Sequence, residues 1–297
     1  MKRLYTIALI GFLFLVGIGN SVYGQQFSYN GINFSVTKSS GSGVGECKVD
    51  NTNTLSGDVI IPRTALDADN NKYYTVTSIG EDAFSRYGLT SVYIPASVKI
   101  IENSAFNYST KLESVTFEEN SNLINIGKYA FRSCYELSSI NIPNSVESIG
   151  EGAFECCENL SSITIPPKVT QLEYNLFCYC EKLEKVNIPQ SVTSIGDDVF
   201  ANCPLKSIVI PNSVKSIGFA AFFNCNFETI VIPNSVNSIG ERAFDSCQKL
   251  KSIIFEQESL VEIINEGMFA GCTNLVSIDI PTSVKKIRDS AFWGCKS

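Results

Sequence analysis

Eleven cysteines and no histidine mark the chemistry open to this 297-residue chain. Without histidine there is no Ser-His-Asp triad, no Cys-His dyad, no HExxH zinc site and no His-ligated metal of any kind. Eight cysteines recur three residues after a phenylalanine: Cys134, Cys157, Cys180, Cys203, Cys225, Cys247, Cys272 and Cys295. Many cysteines in an exported chain ordinarily mean disulfides. Equivalent residues of stacked units, however, point the same way at about 4.8 Å, whereas a disulfide wants convergent β-carbons at roughly 3.8 Å. The spacing therefore predicts a buried ladder of free thiols that behave as small hydrophobes. Cys156 and Cys178 stand outside the ladder and are the disulfide candidates, with each other or with Cys157 and Cys180, and Cys47 has no evident mate.

The other chemical constellations are weaker. Cys156-Cys157 and Cys178-Tyr179-Cys180 lack the C-x₂-C spacing of a zinc site. Asp67–Asn71 looks like the start of a calcium loop, but Lys72 and Ser78 stand where an EF-hand needs Gly and Glu, so a polar hairpin loop is expected. Glu118-Glu119 and Asp197-Asp198 are adjacent in sequence, which does not set two carboxylates across a cleft. The expectation is a non-enzymatic protein with no catalytic residue, no cofactor and no metal.

What positions these residues is a repeat. Phe84, Phe106, Phe131, Phe154, Phe177, Phe200, Phe222, Phe244, Phe269 and Phe292 are separated by 22, 25, 23, 23, 23, 22, 22, 25 and 23 residues, a period that predicts a solenoid. The unit reads L-x-S-I-x-I-P-x-S-V-x-x-I-G-x-x-A-F-x-x-C. Its first half alternates as a half-buried strand does and is stopped by proline, as at Pro143 and Pro166. The second half, as in Val146, Ile149, Ala153, Phe154, Cys157 and Leu160, has spacing that suits one or two helical or 3₁₀ turns entered through Gly150. Stacked units then give a parallel β-sheet on one face and short helical or 3₁₀ turns on the other. Two longer copies carry acidic insertions, at Phe117–Leu123 and Phe255–Leu260.

Three segments are expected. Residues 1–24 form a signal peptide, with Lys2 and Arg3, an apolar run over Ile7–Ile18 and a small-residue end at Val22-Tyr23-Gly24. Residues 25–72 do not fit the repeat and are read as a β-rich N-terminal cap over the first coil. Residues 73–297 are tandem repeats, about ten, the last incomplete. Because the last repeat carries no capping segment, either further sequence or a partner is expected to cover it. The apolar run is shorter than the roughly 20 residues a span needs, so no membrane span is expected in the mature chain. Loss of Lys2 and Arg3 moves the formal charge from −7 to −9, which gives phosphate backbones no general attraction and speaks against nucleic acid.

The unit resembles that of the BspA-like leucine-rich repeat proteins over roughly Thr77–Cys295, with Leu137–Cys157 and Leu205–Cys225 fitting it almost position for position. The Ile-Gly pair is altered at Leu172-Glu173, Ile264-Asn265 and Ile287-Arg288. The resemblance implies a leucine-rich repeat solenoid, secreted or on the cell surface, often bacterial. It implies protein partners, host or neighbouring-cell proteins and extracellular-matrix components included, and it brings no catalytic residues. On ordinary leucine-rich geometry, one outward column of the sheet holds mostly small hydroxyls, including Ser114, Ser139, Ser162 and Thr229. The candidate binding column beside it is Tyr93, Thr116, Asn141, Thr164, Asn187, Val209, Val231, Ile254 and Asp279, turning apolar at Val209, Val231 and Ile254. Adhesion or host interaction is the expected function. A structural spacer within a larger surface protein, or a glycan-binding module, are the other readings.

Overall fold

The computed structural model describes residues 23–39, 43–52 and 55–296. The expected signal peptide lies outside these residues except for Tyr23 and Gly24.

The chain opens with a β-rich segment. Strands β1 (Gln26–Tyr29), β2 (Ile32–Lys38) and β3 (Gly45–Val49) run antiparallel to their neighbours, and β3 then pairs in parallel with β6 (Lys72–Ile79). Between them, β4 (Ser56–Ile60) pairs in parallel with β7 (Gly88–Ile94), and β5 (Thr64–Asp67) forms a hairpin with β6. Phe27, Phe34 and Tyr74 pack ring to ring under this layer.

Most coils contribute two strands rather than the one expected. The anticipated strand, L-x-S-I-x-I, gives a front ladder: β4, β7, Ser114–Phe117 and Ser139–Ile140, then Ser162–Thr164 with Lys185–Asn187, then Thr229–Ile232 with Ser252–Phe255. A second parallel ladder is built from the short S-I step before each glycine, for example Ser148–Ile149 on Asn125–Ile126 and Ser216–Ile217 on Ser194–Ile195. Two residues are too few to show period-2 alternation, so the sequence gives no strand signal there. Proline ends the front strand and opens a turn closed by the valine amide three residues on, as in Val146 N–H to Pro143 O at 3.1 Å.

The third segment of the coil corrects the expected helical or 3₁₀ face: among the described residues no helix is present. The residues two before and two after each repeat Phe have positive φ, from Asp82 (53°) and Arg86 (65°) through Tyr129 and Ser133 to Ser290 and Gly294. A left-handed residue at every fourth position prevents a helical run from starting. Alternate amides instead donate to the next coil, as in Tyr129 to Glu151 O and Phe131 to Ala153 O, both at 2.8 Å. The apolar spacing thus reflects two tight turns, and bonding between coils displaces bonding within one.

The Phe side chains fill the core. Ten rings stack in nine successive pairs, with centroids 5.0–5.7 Å apart and planes within 22°. Such contacts are worth about 0.5–1.5 kcal/mol each beyond the burial itself. The glycine after the second strand serves packing between coils rather than turn conformation. A β-carbon on Gly150 would lie 2.6 Å from Lys128 N and 2.8 Å from Gly127 C, and Gly150 itself has ordinary φ. Backbone cannot yield there, so Gly150→Ala should lower stability by about 1–3 kcal/mol, read as a drop in urea midpoint; an unchanged midpoint would show that the coils can separate locally.

Candidate functional site

The thiols were the first chemical candidates, and the structure gives them a structural task. The Sγ of each of the eight ladder cysteines donates to the carbonyl of the repeat Phe in the preceding coil, from Cys134 to Phe106 O (3.3 Å) to Cys295 on Phe269 O (3.3 Å). They are therefore donors, not merely the small hydrophobes expected. In the Phe106 coil Ser109 stands at the cysteine position, and its hydroxyl donates to Phe84 O at 2.7 Å. That substitution was the sequence signal for a hydrogen-bonding role. Burial pushes these thiols up, well above the ordinary value at Cys157, Cys180, Cys225 and Cys247 and to about 12 at Cys272.

The carboxylate pairs are likewise built into the fold. Glu118 occupies the place that proline holds in other coils; it accepts from Arg63 (2.6 Å) and from the Ala96 amide (2.7 Å). The Arg63 bond, then the Ala96 amide, holds its carboxyl below the usual range, with Tyr93 contributing a further hydrogen bond. Glu256 does the equivalent in the second insertion, accepting from the Asn234 amide at 3.1 Å. Both acidic insertions thus pin the turn of the preceding coil. Asp197 accepts from the Phe219 amide at 2.7 Å. Asp67 is buried in the β5–β6 hairpin and accepts from Gln25 and Asn70, both at 2.8 Å, as a polar hairpin loop requires. Among the described residues no group of three or more Cys, Asp or Glu could hold a metal ion.

This leaves the front ladder as the candidate site. Its register brings the predicted column together in part: Tyr93 stands opposite Thr116, Thr164 opposite Asn187 and Val231 opposite Ile254. Thr116, Asn141, Thr164, Asn187, Val209, Val231, Ile254 and Asp279 are exposed, and Tyr93 is half-buried beside Glu118. The polar half ties itself together, with Asn187 Nδ2 donating to Thr164 Oγ1 at 3.2 Å. Thr116 and Asn141 border a recess of about 470 Å³ with Glu119, Asn120 and Asn144. The apolar half is open: Val209, Val231 and Ile254 are 79%, 42% and 49% exposed.

Val209 and Asp279 lie in front segments that form no strand. In the Val209 coil a single residue, Pro204, separates Cys203 from Leu205, but the next coil is equally short, with Asn226 alone between Cys225 and Phe227, and still forms the strand Thr229–Ile232; the break in the ladder between Asn187 and Thr229 has no explanation in coil length. Ile60, opposite Tyr93 on β4, and Val276 are exposed apolar residues of the same face that the sequence column omits. The likeness of Asp58–Pro62 to the repeat was the signal for Ile60; Val276 had none.

The chain matches the family described as BspA type Leucine rich repeat region (6 copies), over residues 77–204 and 170–297. A comparison with curated proteins finds no match. Among solved structures, a leucine rich cell surface protein from Faecalibacterium prausnitzii is 29% identical, with 92% of this chain and 86% of that one covered and a TM-score of 0.62. The pneumococcal vaccine antigen PcpA is 21% identical over 89% and 72%, TM-score 0.57, and a leucine-rich repeat protein of T. pallidum 22% over 76% and 91%, TM-score 0.53. At these identities the last two show the fold alone.

The raised thiols have a consequence for stability. Their folded pKa values lie above the unfolded value near 9.0, so the thiol contribution is complete below that pH. As pH rises past it, the unfolded chain loses protons that the folded chain keeps. Each fully buried ladder thiol should then cost about 1.4 kcal/mol per pH unit, so urea midpoints measured from pH 7 to 10.5 should fall steeply above 9. A flat profile would show that the thiols ionise in place.

Proposed function

The chain belongs to the BspA-type leucine-rich repeat family, and from that premise we propose that it is an exported, non-catalytic, protein-binding solenoid that meets its partner on the front ladder. The observation that carries this is the open run Val209, Val231 and Ile254. Val231 and Ile254 stand opposite one another on the ladder and Val209 occupies the equivalent position one coil earlier; exposed apolar side chains of this kind mark a contact surface, because nothing in the coil requires them there. In the adjoining coils the same positions hold Thr164 and Asn187, which build the same ladder with polar side chains. The partner is a protein of a host or neighbouring cell, extracellular-matrix proteins included, bound through adhesion.

Placement at the cell surface draws support from the likeness to a leucine rich cell surface protein, and export from the basic start and apolar run of residues 1–24. No helix among the described residues is long and apolar enough to cross a membrane. In the same reading, residues 25–72 serve as the cap: β1, β2 and β3 continue the second ladder beyond β6 and cover the edge that the first coil would expose. Residues 73–297 form the recognition array.

The test is a panel of purified extracellular-matrix proteins immobilised against the full mature chain. A variant with Val209→Ser, Val231→Thr and Ile254→Thr should lose binding by at least about tenfold while its melting temperature stays nearly unchanged. Unaltered binding would remove the apolar run from the site. Binding of neither matrix proteins nor glycans by the parent chain would favour a spacer.

A further inference from the structure

Cys156 and Cys178 take no part in the thiol ladder. Cys156 lies two residues after Phe154, in left-handed conformation and half-buried; Cys178 lies one residue after Phe177 and is 5% exposed. Along this wall the amide two residues after one Phe donates to the carbonyl one residue after the next, as in Tyr108 to Arg132 O, Tyr179 to Ala201 O and Asn202 to Phe223 O. Cys156 N–H donates to Cys178 O in this way at 2.8 Å, and theirs is the one such pair among the described residues in which both members carry a thiol.

Parallel coils bonded in this way stand about 4.8 Å apart, which keeps the two bonded residues neighbours at a spacing of the order of the 4.4–6.8 Å that a disulfide spans between α-carbons. Ladder thiols are committed to Phe carbonyls in the preceding coil. The hydrogen-bond pattern that occupies them does not extend to these two.

We propose that Cys156 and Cys178 form a disulfide between adjacent coils, the one redox-active crosslink of the array. The oxidant is a small-molecule disulfide. The half-exposed Cys156, as thiolate, attacks one of its sulfurs, forming a mixed disulfide and expelling one thiolate. The Cys178 thiolate then attacks Cys156 Sγ; the protein S–S bond forms, the mixed bond breaks and the second thiolate leaves. Two electrons pass from the cysteine pair to the oxidant, and the two thiol protons go to solvent or to the released thiolates. Burial raises the two thiols to about 11 and about 12, so exchange in the folded chain is slow and the product is best reached at equilibrium.

The full mature chain is refolded in a reduced and oxidised glutathione mixture, and a native sample is held in the same buffer. Both are denatured and capped with N-ethylmaleimide. The expected product carries nine caps in place of eleven, gives a crosslinked Cys156–Cys178 peptide and melts at higher temperature than the dithiothreitol-treated chain. Cys156→Ser and Cys178→Ser should each accept ten caps and melt identically with or without oxidant. Eleven caps on the parent, glutathione retained on Cys156, or a bridge mapped to Cys157 or Cys180 would overturn the proposal.

Discussion

The carbonyl of each repeat phenylalanine is the point where one coil is fastened to the next. It accepts from the cysteine amide of its own turn, as Phe131 O does from Cys134 N–H at 3.3 Å, and from the thiol of the following coil, as it does from Cys157 at 3.2 Å. The same residue's amide donates onward to the next alanine carbonyl, and its ring lies on the next ring. A buried carbonyl with an unfilled lone pair is costly inside a dry core, where water cannot replace the lost partner. Thiol, amide and ring therefore fix the registry of neighbouring coils together, and both strand ladders follow from that registry.

The same constraint accounts for the turns. Sixteen of the twenty left-handed positions that flank the Phe residues hold residues other than glycine, Arg86, Tyr108 and Tyr179 among them. Each costs about 1–2 kcal/mol in isolation. The amides of fifteen of them, all but Ser290, donate to the next coil at 2.7–3.2 Å, and those bonds are lost if the residue relaxes to an ordinary φ. Local strain is thus held in place by bonding across the array, which the preferences of a single unit do not contain.

Much of this was legible in the residues because the repeat shows each position ten times over. The front strand, its proline stop, the buried Val, Ile, Ala and Phe, and the buried thiols all follow from apolar period and spacing. The second ladder was not legible, since Ser148-Ile149 is too short to alternate. The turn segment was misread as helical because Ala153, Phe154 and Cys157 have helix-like spacing, while the left-handed φ at Gly152 and Cys156 leaves no mark in residue type at Cys156. At the candidate face, the outward direction of Val231 and Ile254 came from the pleat. The broken ladder at Val209 left no mark in the repeat, since the next coil has the same shortened spacing at Cys225-Asn226-Phe227 and keeps its strand.

The serines of the P-x-S-V turns add a consequence of their own. Ser191, Ser213 and Ser235 donate to Val169, Val192 and Val214 of the preceding coil at 2.6–2.7 Å, so each coil presents the same acceptors on one side and the same donors on the other. An excision or duplication of any one period rejoins like surfaces, wherever in the period the cut falls. The array can therefore be lengthened, shortened or shuffled by recombination between its own copies without redesign of the interior. What changes in such an event is the order of residues along the front ladder, one per coil, so that face can diversify while the scaffold beneath it stands still.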